Sequence, residues 1–466
     1  MRTRFTFAML TVCLTVVVLA CGRTDTLVGD AEGDGSIDTG VDALDGIAED
    51  PFSAPTWARS YSGSMTEYFR AVQVTDEGHI VTAGSTRSFG TENQDMWVVL
   101  LDKWGDPLWE KALPDGGLQD AVNFIAEVDS GGWIVGGTGM VYEAIARLDS
   151  EGEVLWRWQA VDGGTEYFAD AVRAPGGQIA ACLIFDVHVG FLLLGDDGTI
   201  IESKYYPDDL SGDHQNPLSI ISPSDGGFLI VGKHWNSPGW PGHDGLAMRL
   251  DERGDLIWAH KYKSDRSELF TDAAEVLDGF LMVGMTAEAP LEPSRGWIVT
   301  IDKDGGLLKQ QVLEIGEQCY LDEVLATSDG GLVATGIVYT GAKMDILLLK
   351  LDSTGNVLWA RTYGGLWVST TAGDVVQAPD GGFVVVGSYE VLEEEPADGW
   401  VLRTDPDGYI DGDCPEGMIT TVGVTVLDSE VWVEEPPIRA AEADMDTEWM
   451  DTESLPTSAR VEQQCP

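Results

Sequence analysis

The unit Ser224-Asp-Gly-Gly-Phe-Leu-Ile-Val-Gly232 is one of seven copies of a turn followed by an apolar strand. The copies end at Gly84, Gly137, Cys182, Gly232, Gly284, Gly336 and Gly387, in steps of 53, 45, 50, 52, 52 and 51 residues. A fixed period of this length specifies a repeat architecture, in which each unit buries its apolar face only against its neighbours. Most of the 466 residues can therefore form one domain instead of two or three.

Each unit reads as four short strands. In the fourth copy, 217–222 is strand A and Asp225-Gly226-Gly227 is a tight turn where glycine accepts positive φ. Strand B is 228–231, strand C is 245–250, Asp251-Glu-Arg-Gly254 is the next turn, and strand D is 256–262. Apolar runs such as Phe-Leu-Ile-Val suit inner strands covered on both faces. Four antiparallel strands repeated seven times describe an all-β, seven-bladed β-propeller. The seventh copy lacks a strand D, whereas Trp57-Ala-Arg-Ser-Tyr61 is a strand D with nothing before it. Pairing 57–61 with 399–403 is thus expected to close the ring through an N-terminal strand.

The C–D element carries the sharpest motif, Asp-x-x-Gly followed four residues later by Trp. It occurs as Asp102/Gly105/Trp109, Asp149/Gly152/Trp156, Asp251/Gly254/Trp258 and Asp352/Gly355/Trp359. The motif resembles the tryptophan-docking repeat of quinoprotein-type propellers, found also in lipoproteins of outer-membrane assembly. The resemblance covers about 57–412. It implies that Trp57, Trp109, Trp156, Trp258 and Trp359 dock onto adjacent blades while the aspartates tie down the turns. The third and fifth copies depart from it, with Glu202 and Lys309 in the Trp slot, and looser docking is expected there. The adjacent cysteine pair and separate cofactor domain of the quinoprotein dehydrogenases are missing, so no quinone cofactor is expected.

The N-terminus supplies an address. Arg2 and Arg4 precede an apolar stretch from Phe5 to Leu19, and Val18-Leu19-Ala20-Cys21 follows. That tetrapeptide resembles the lipobox of bacterial lipoproteins, which implies a signal peptide at 1–20 and acylation of Cys21. Residues 21–55 carry nine acids against one base and read as a disordered linker. The propeller is expected over 56–412. An acidic C-terminal segment follows over 413–466, with one or two strands between Ile419 and Val433 and little structure after Glu434. Gly22 does not match the aspartate that retains some lipoproteins in the inner membrane, so display on the outer membrane or cell surface is expected. The formal charge of −52 opposes nucleic-acid phosphate and anionic headgroups, which leaves the lipid as the only expected link to the membrane. In an oxidising exported setting, Cys414 and Cys465 are expected to form a disulfide. Cys182 reads as a small buried thiol in the glycine slot, and Cys319 has no evident role.

Two groups of residues are candidates for function. His234-Trp-Asn-Ser-Pro-Gly-Trp-Pro-Gly-His243 does not repeat in other copies, and His214 lies in the loop entering the same blade. Trp235 and Trp240 can stack on a sugar or aromatic ligand, with His214, His234 and His243 giving polar contacts. The bland alternative is a Pro/Gly-rich loop that packs its own indoles. Acids also recur near the start of strand A, at Asp170, Asp272, Asp322 and Asp374. They read either as acceptors for local backbone N–H groups or as a ring of oxygen ligands for Ca²⁺. No Gly-x-Ser-x-Gly, His-Glu-x-x-His or phosphate-cradling loop is present. A non-catalytic monomer that binds or scaffolds an envelope protein or glycan is the expectation. A propeller glycoside hydrolase or lyase and a periplasmic assembly factor are the alternatives.

Overall fold

The computed structural model describes residues 55–466, apart from 92, 114–119, 140–143, 161–166, 209–213, 236–241, 289–291, 342, 366–367, 392–395, 413, 416, 428–429, 437, 440, 443–446, 450–454, 458 and 466. The signal peptide, Cys21 and the acidic linker lie outside the described residues. Every element formed by the described residues is a strand, and the strands build seven antiparallel sheets around a ring. Blade 4 shows the pattern, with strand A at His214–Ile221, B at Phe228–Trp235, C at His243–Leu250 and D at Leu256–Lys263. Blade 7 takes its strand D from the N-terminus. Trp57–Ser62 pairs with Asp398–Thr404 in the expected register, from Trp57 opposite Arg403 to Tyr61 opposite Gly399. Seven clusters of buried apolar side chains fill the seams between neighbouring blades.

The recurring Asp-Gly-Gly has two jobs. Gly226 and Gly227 take φ of 90° and 66°, and a Cβ on Gly227 would lie 2.2 Å from the Leu250 carbonyl. The aspartate accepts from a base near the end of strand C: Arg249 to Asp225 at 2.8 Å, Lys350 to Asp329 at 2.9 Å and Arg403 to Asp380 at 2.7 Å. The base fastens the A–B turn to strand C, and it precedes the Asp-x-x-Gly turn by two residues in the sequence.

Strand-B glycines answer a bulge in strand A. One extra residue in strand A shifts the pairing in blades 1 to 6 and two do so in blade 7, for example between Phe69 and Ala71. The bulge drives a strand-A carbonyl against strand B, so a Cβ on Gly84 would sit 1.8 Å from the Tyr68 oxygen. In blade 3 the residue opposite this point is Leu183, across from Phe168. The glycine slot therefore belongs to Leu183, not to Cys182, which pairs one step later with Asp170. Cys182 is buried with a free thiol.

Between blades, indole N–H groups reach the second residue of the next C–D turn. Trp57 donates to Lys103 at 3.1 Å, Trp109 to Ser150 at 3.2 Å, Trp156 to Asp196 at 2.8 Å and Trp258 to Lys303 at 3.0 Å. The Trp359 ring lies where a Cβ on Gly408 would stand 2.7 Å away. Turn aspartates accept two backbone N–H groups each, as Asp251 does from Arg253 and Asp255, both at 2.8 Å. The junctions without Trp lack the indole contact and are bonded by other groups. Lys309 donates to Thr354 O at 3.1 Å and Asn356 Oδ1 at 2.7 Å. In blade 3, Lys204 meets Asp255 at 2.7 Å and the Tyr206 hydroxyl donates to Gly254 O at 2.8 Å. Tyr61, Tyr262 and Tyr363 make the same carbonyl contact in their own seams.

The largest departure from expectation is the C-terminal segment, which is strand-forming beyond Glu434. It adds a fifth strand to every blade: Ile419–Thr421, Thr425–Leu427, Trp432–Glu434, Ala441–Glu442, Thr447–Trp449, Leu455–Pro456 and Arg460–Cys465. Each pairs antiparallel with the outer strand D of its blade. The closing strand Trp57–Ser62 thus lies between Asp398–Thr404 and Arg460–Cys465. Cys414 and Cys465 are joined by a disulfide.

Candidate functional site

Strand A of each blade lines the axis of the ring, where a cavity of about 670 Å³ is bordered by Arg70, Asn123, Asp170, Asp272, Glu323 and Asp374. In blade 7 the acid that borders this cavity, Asp374, lies within the two-residue bulge, whereas in blades 3 to 6 a residue following the bulge borders it. The residue just after the bulge is Asp170 in blade 3, Ser219 in blade 4, Asp272 in blade 5 and Glu323 in blade 6. Asp322 occupies the bulge itself, beside the charge of Arg70, and does not border the cavity. Reading acids as those near the start of strand A therefore selects Asp322 and misses Glu323 and Ser219.

Each aspartate of the ring spends an oxygen on the next blade. Asp170 accepts Ile220 N at 3.0 Å, Asp272 accepts Val324 N at 2.8 Å and Asp374 accepts Val72 N at 2.9 Å. Their other oxygens are also engaged: Asp170 with Ala171 N at 2.7 Å, Asp374 with Val375 N at 2.6 Å, and Asp272 with the Ser219 hydroxyl at 2.6 Å. These bonds tie blade 3 to 4, 5 to 6 and 7 to 1 at the axis. Burial pushes the carboxyls of Asp170 and Asp374 up to about 7, with neighbouring acids adding to the rise. Burial also raises Asp272 and Glu323, which share a hydrogen bond, and the nearby Asp272 charge raises Glu323 further. Among the described residues, no group of three or more His, Cys, Asp or Glu is arranged to hold a metal ion. The arrangement works as a set of blade-to-blade ties.

A second group sits where the loops of blades 3 and 4 meet. His214 pairs with Trp235 across strands A and B, and Trp235 pairs with His243 across B and C. Ring centroids lie 6.1 Å apart for His214 and Trp235, and 5.1 Å apart for Trp235 and His243. The Trp235 side chain is 50% exposed between its two histidine neighbours. His243 Nδ1 is 3.1 Å from the Ser267 hydroxyl, and burial followed by the Lys233 charge holds its imidazole below the ordinary range. Strand alternation turns His234 the other way. It is fully buried, with Nε2 3.0 Å from Asp208 Oδ2, so it supports the loop and offers no surface for a ligand. Trp240 lies outside the described residues. His188, at the start of strand C in blade 3, breaks a sequence pattern but is not among the candidate residues read from the sequence. Burial lowers its pKa, and it stands in the fields of Asp208 and His214. Its signal is that Asp95, Asp244, Asp345 and Asp398 hold the corresponding position near the start of strand C in other blades.

Two of these acids are local acceptors. Asp95 takes Thr91 N at 2.5 Å, and Asp345 takes Lys343 Nζ at 2.9 Å.

No protein-family model matches the chain, and no curated protein matches it. Solved structures do. A catalytically inactive virginiamycin B lyase from Staphylococcus aureus with quinupristin is 14% identical, with a TM-score of 0.46 over 74% of this chain and 98% of that one. Sqt1 from Chaetomium thermophilum, bound to the N-terminus of ribosomal protein L10, is 14% identical, with a TM-score of 0.43 over 74% and 98%. A protein of unknown function from Bacteroides caccae is 11% identical, with a TM-score of 0.39 over 66% and 93%. Such values carry no functional inference, and the chain stands as a seven-bladed β-propeller on its own strand pairing.

Proposed function

We propose that the chain is an exported, lipid-anchored β-propeller that binds a glycan of the cell envelope without catalysis. The Trp235 surface is the observation that carries this reading. An indole left half-open between His214 and His243 offers a flat apolar face with polar edges, which suits the face and hydroxyl rim of a sugar ring. The loop that follows Trp235 does not repeat in other blades, so ring-building gives no reason for its composition. Attachment through Cys21 rests on the signal-like N-terminus and its Leu19-Ala20-Cys21 junction.

Two features weigh against the alternatives. A hydrolase using the axial carboxylates needs an acid and a base free to face substrate, whereas those aspartates are engaged by backbone N–H groups and by Ser219. An assembly factor that recruits strands by edge pairing needs a long open edge, and the fifth strand that forms the outer edge is only two or three residues long in six blades.

Pull-down of the full chain on insoluble cell-wall polysaccharide and peptidoglycan, beside Trp235→Ala, tests the proposal. Loss of the ring is expected to weaken retention about five- to tenfold, in line with ~1–1.4 kcal/mol for an aromatic contact. The half-exposed position predicts a melting temperature close to that of the parent. Equal retention of the two proteins refutes glycan binding at this surface.

A further inference from the structure

The C-terminal segment forms a circuit. Its strands meet the blades in the order 6, 5, 4, 3, 2, 1 and 7, opposite to the order in which the chain built them. Six of the seven are only two or three residues long, and the last, Arg460–Cys465, has six. Short ladders of this kind hold weakly one by one, because each fixes several residues for few hydrogen bonds. Several point contacts supplement them. Glu110 accepts Ala459 N at 2.7 Å and the Thr457 hydroxyl at 3.1 Å, and Gln464 donates to Ser60 Oγ at 2.9 Å. The segment leaves Val426, Trp432 and Val433 at or above 40% exposed, so it brings little apolar burial of its own there.

The circuit begins and ends at one place. Cys414 and Cys465 bond across a sequence separation of 51. Cys465 pairs with Ala58 of the closing strand and is buried among Tyr363, Ile410 and Met418 in the seam between blades 6 and 7. Cys414 packs against the same cluster. The bond thus sits where the ring itself closes, and it converts an encircling tail into a covalent hoop.

We propose that the Cys414–Cys465 disulfide is a redox clasp, whose formation locks the hoop and whose reduction frees the tail strands while the propeller stays folded. Clasp formation joins the two sulfurs and gives up two protons and two electrons. A disulfide-bearing oxidant accepts them, and its own S–S bond becomes two thiols. In the reverse direction a dithiol supplies them. A thiol-reducing interior keeps the tail unclasped and an oxidising exterior closes it. The cellular timing rests on the export proposed above, but the clasp itself is tested without reference to export or glycan.

The test is hydrogen exchange by mass spectrometry on the full chain in three forms. They are the oxidised protein, the protein reduced natively by a dithiol and alkylated, and the double variant Cys414→Ser/Cys465→Ser. Closing a loop of this length restricts the open tail by a factor on the order of a thousand. Peptides covering 419–456 are therefore expected to exchange up to roughly a thousandfold faster in the unclasped forms. Inner strands such as His243–Leu250 should keep their protection. Unchanged exchange over 419–456 overturns the proposal, because strand pairing alone then holds the tail. Loss of protection in the inner strands together with the tail also overturns it, because the bond is then a general staple of the fold. Should the double variant fail to fold, the reduced native protein gives the same readings. Resistance of the native bond to the dithiol also overturns it, because a bond that no reductant opens in the folded protein is a fixed staple and not a redox clasp.

Discussion

Replacing Trp57 by alanine is expected to be the most damaging change in the Trp series, because this ring closes the propeller. Its side chain is 2% exposed, its Nε1 donates to Lys103 O at 3.1 Å, and the Arg59 guanidinium lies 5.4 Å from its centroid. An indole buries roughly 150–250 Å², and about 150 Å² of that is lost to alanine, which at about 25 cal/mol per Å² is about 4 kcal/mol. The lost hydrogen bond and cation–π contact bring the total to about 5 kcal/mol, at the upper end of the range for Trp→Ala. Trp258 makes the corresponding bond at 3.0 Å, but its ring is only partly buried and stacks on His260 at 4.8 Å. Its replacement should cost about half as much. Urea unfolding of the oxidised full chain, followed by near-ultraviolet circular dichroism, measures both as midpoint shifts at a common slope. A cost below about 1 kcal/mol for Trp57→Ala, or equal costs for the two, refutes the account of closure.

Two further outcomes are expected. Asp170 has a carboxyl raised to about 7, so the folded protein keeps a proton that the unfolded chain, titrating near 4, has released. The stability from that proton is complete below the unfolded value and is lost as pH rises toward 7. Thermal melts at pH 5 and pH 8 should show the parent more sensitive to this rise than Asp170→Asn, and identical slopes would refute the assignment. Metabolic labelling with palmitate should mark the full chain and fail to mark Cys21→Ser, with labelling of the variant excluding the anchor.

The ring was readable because the chain carries its own controls. Seven copies expose the four-strand unit, and an orphan strand at Trp57 facing a blade without strand D specifies closure. What escaped had no periodic signal. Strands of two or three residues, such as Ala441–Glu442 and Leu455–Pro456, are too short to show alternation, and the blade edges they meet are what make them strands. One of the four axial acids was misassigned by one residue because a bulge displaces strand A in blade 6. Asp322 and Glu323 are both acids, and only the carbonyl pressed against Gly336 shows which one follows the bulge. At the Trp235 surface, alternation along a strand already implied that adjacent His234 and Trp235 face opposite ways. Loop composition alone concealed it.

The placement of Trp57–Ser62 between two partners also bears on mechanics. The chain ahead of Trp57 enters the blade through this strand, which is hydrogen-bonded to Asp398–Thr404 along one edge and to Arg460–Cys465 along the other. Tension applied from that side loads two antiparallel ladders together, in shear, with Tyr61 pinned to Gly105 O at 2.7 Å on the neighbouring blade. An ordinary outermost strand would peel from a single partner one bond at a time. Here the load is shared between Asp398–Thr404 and Arg460–Cys465, so the point at which the ring is joined is also braced against pulling.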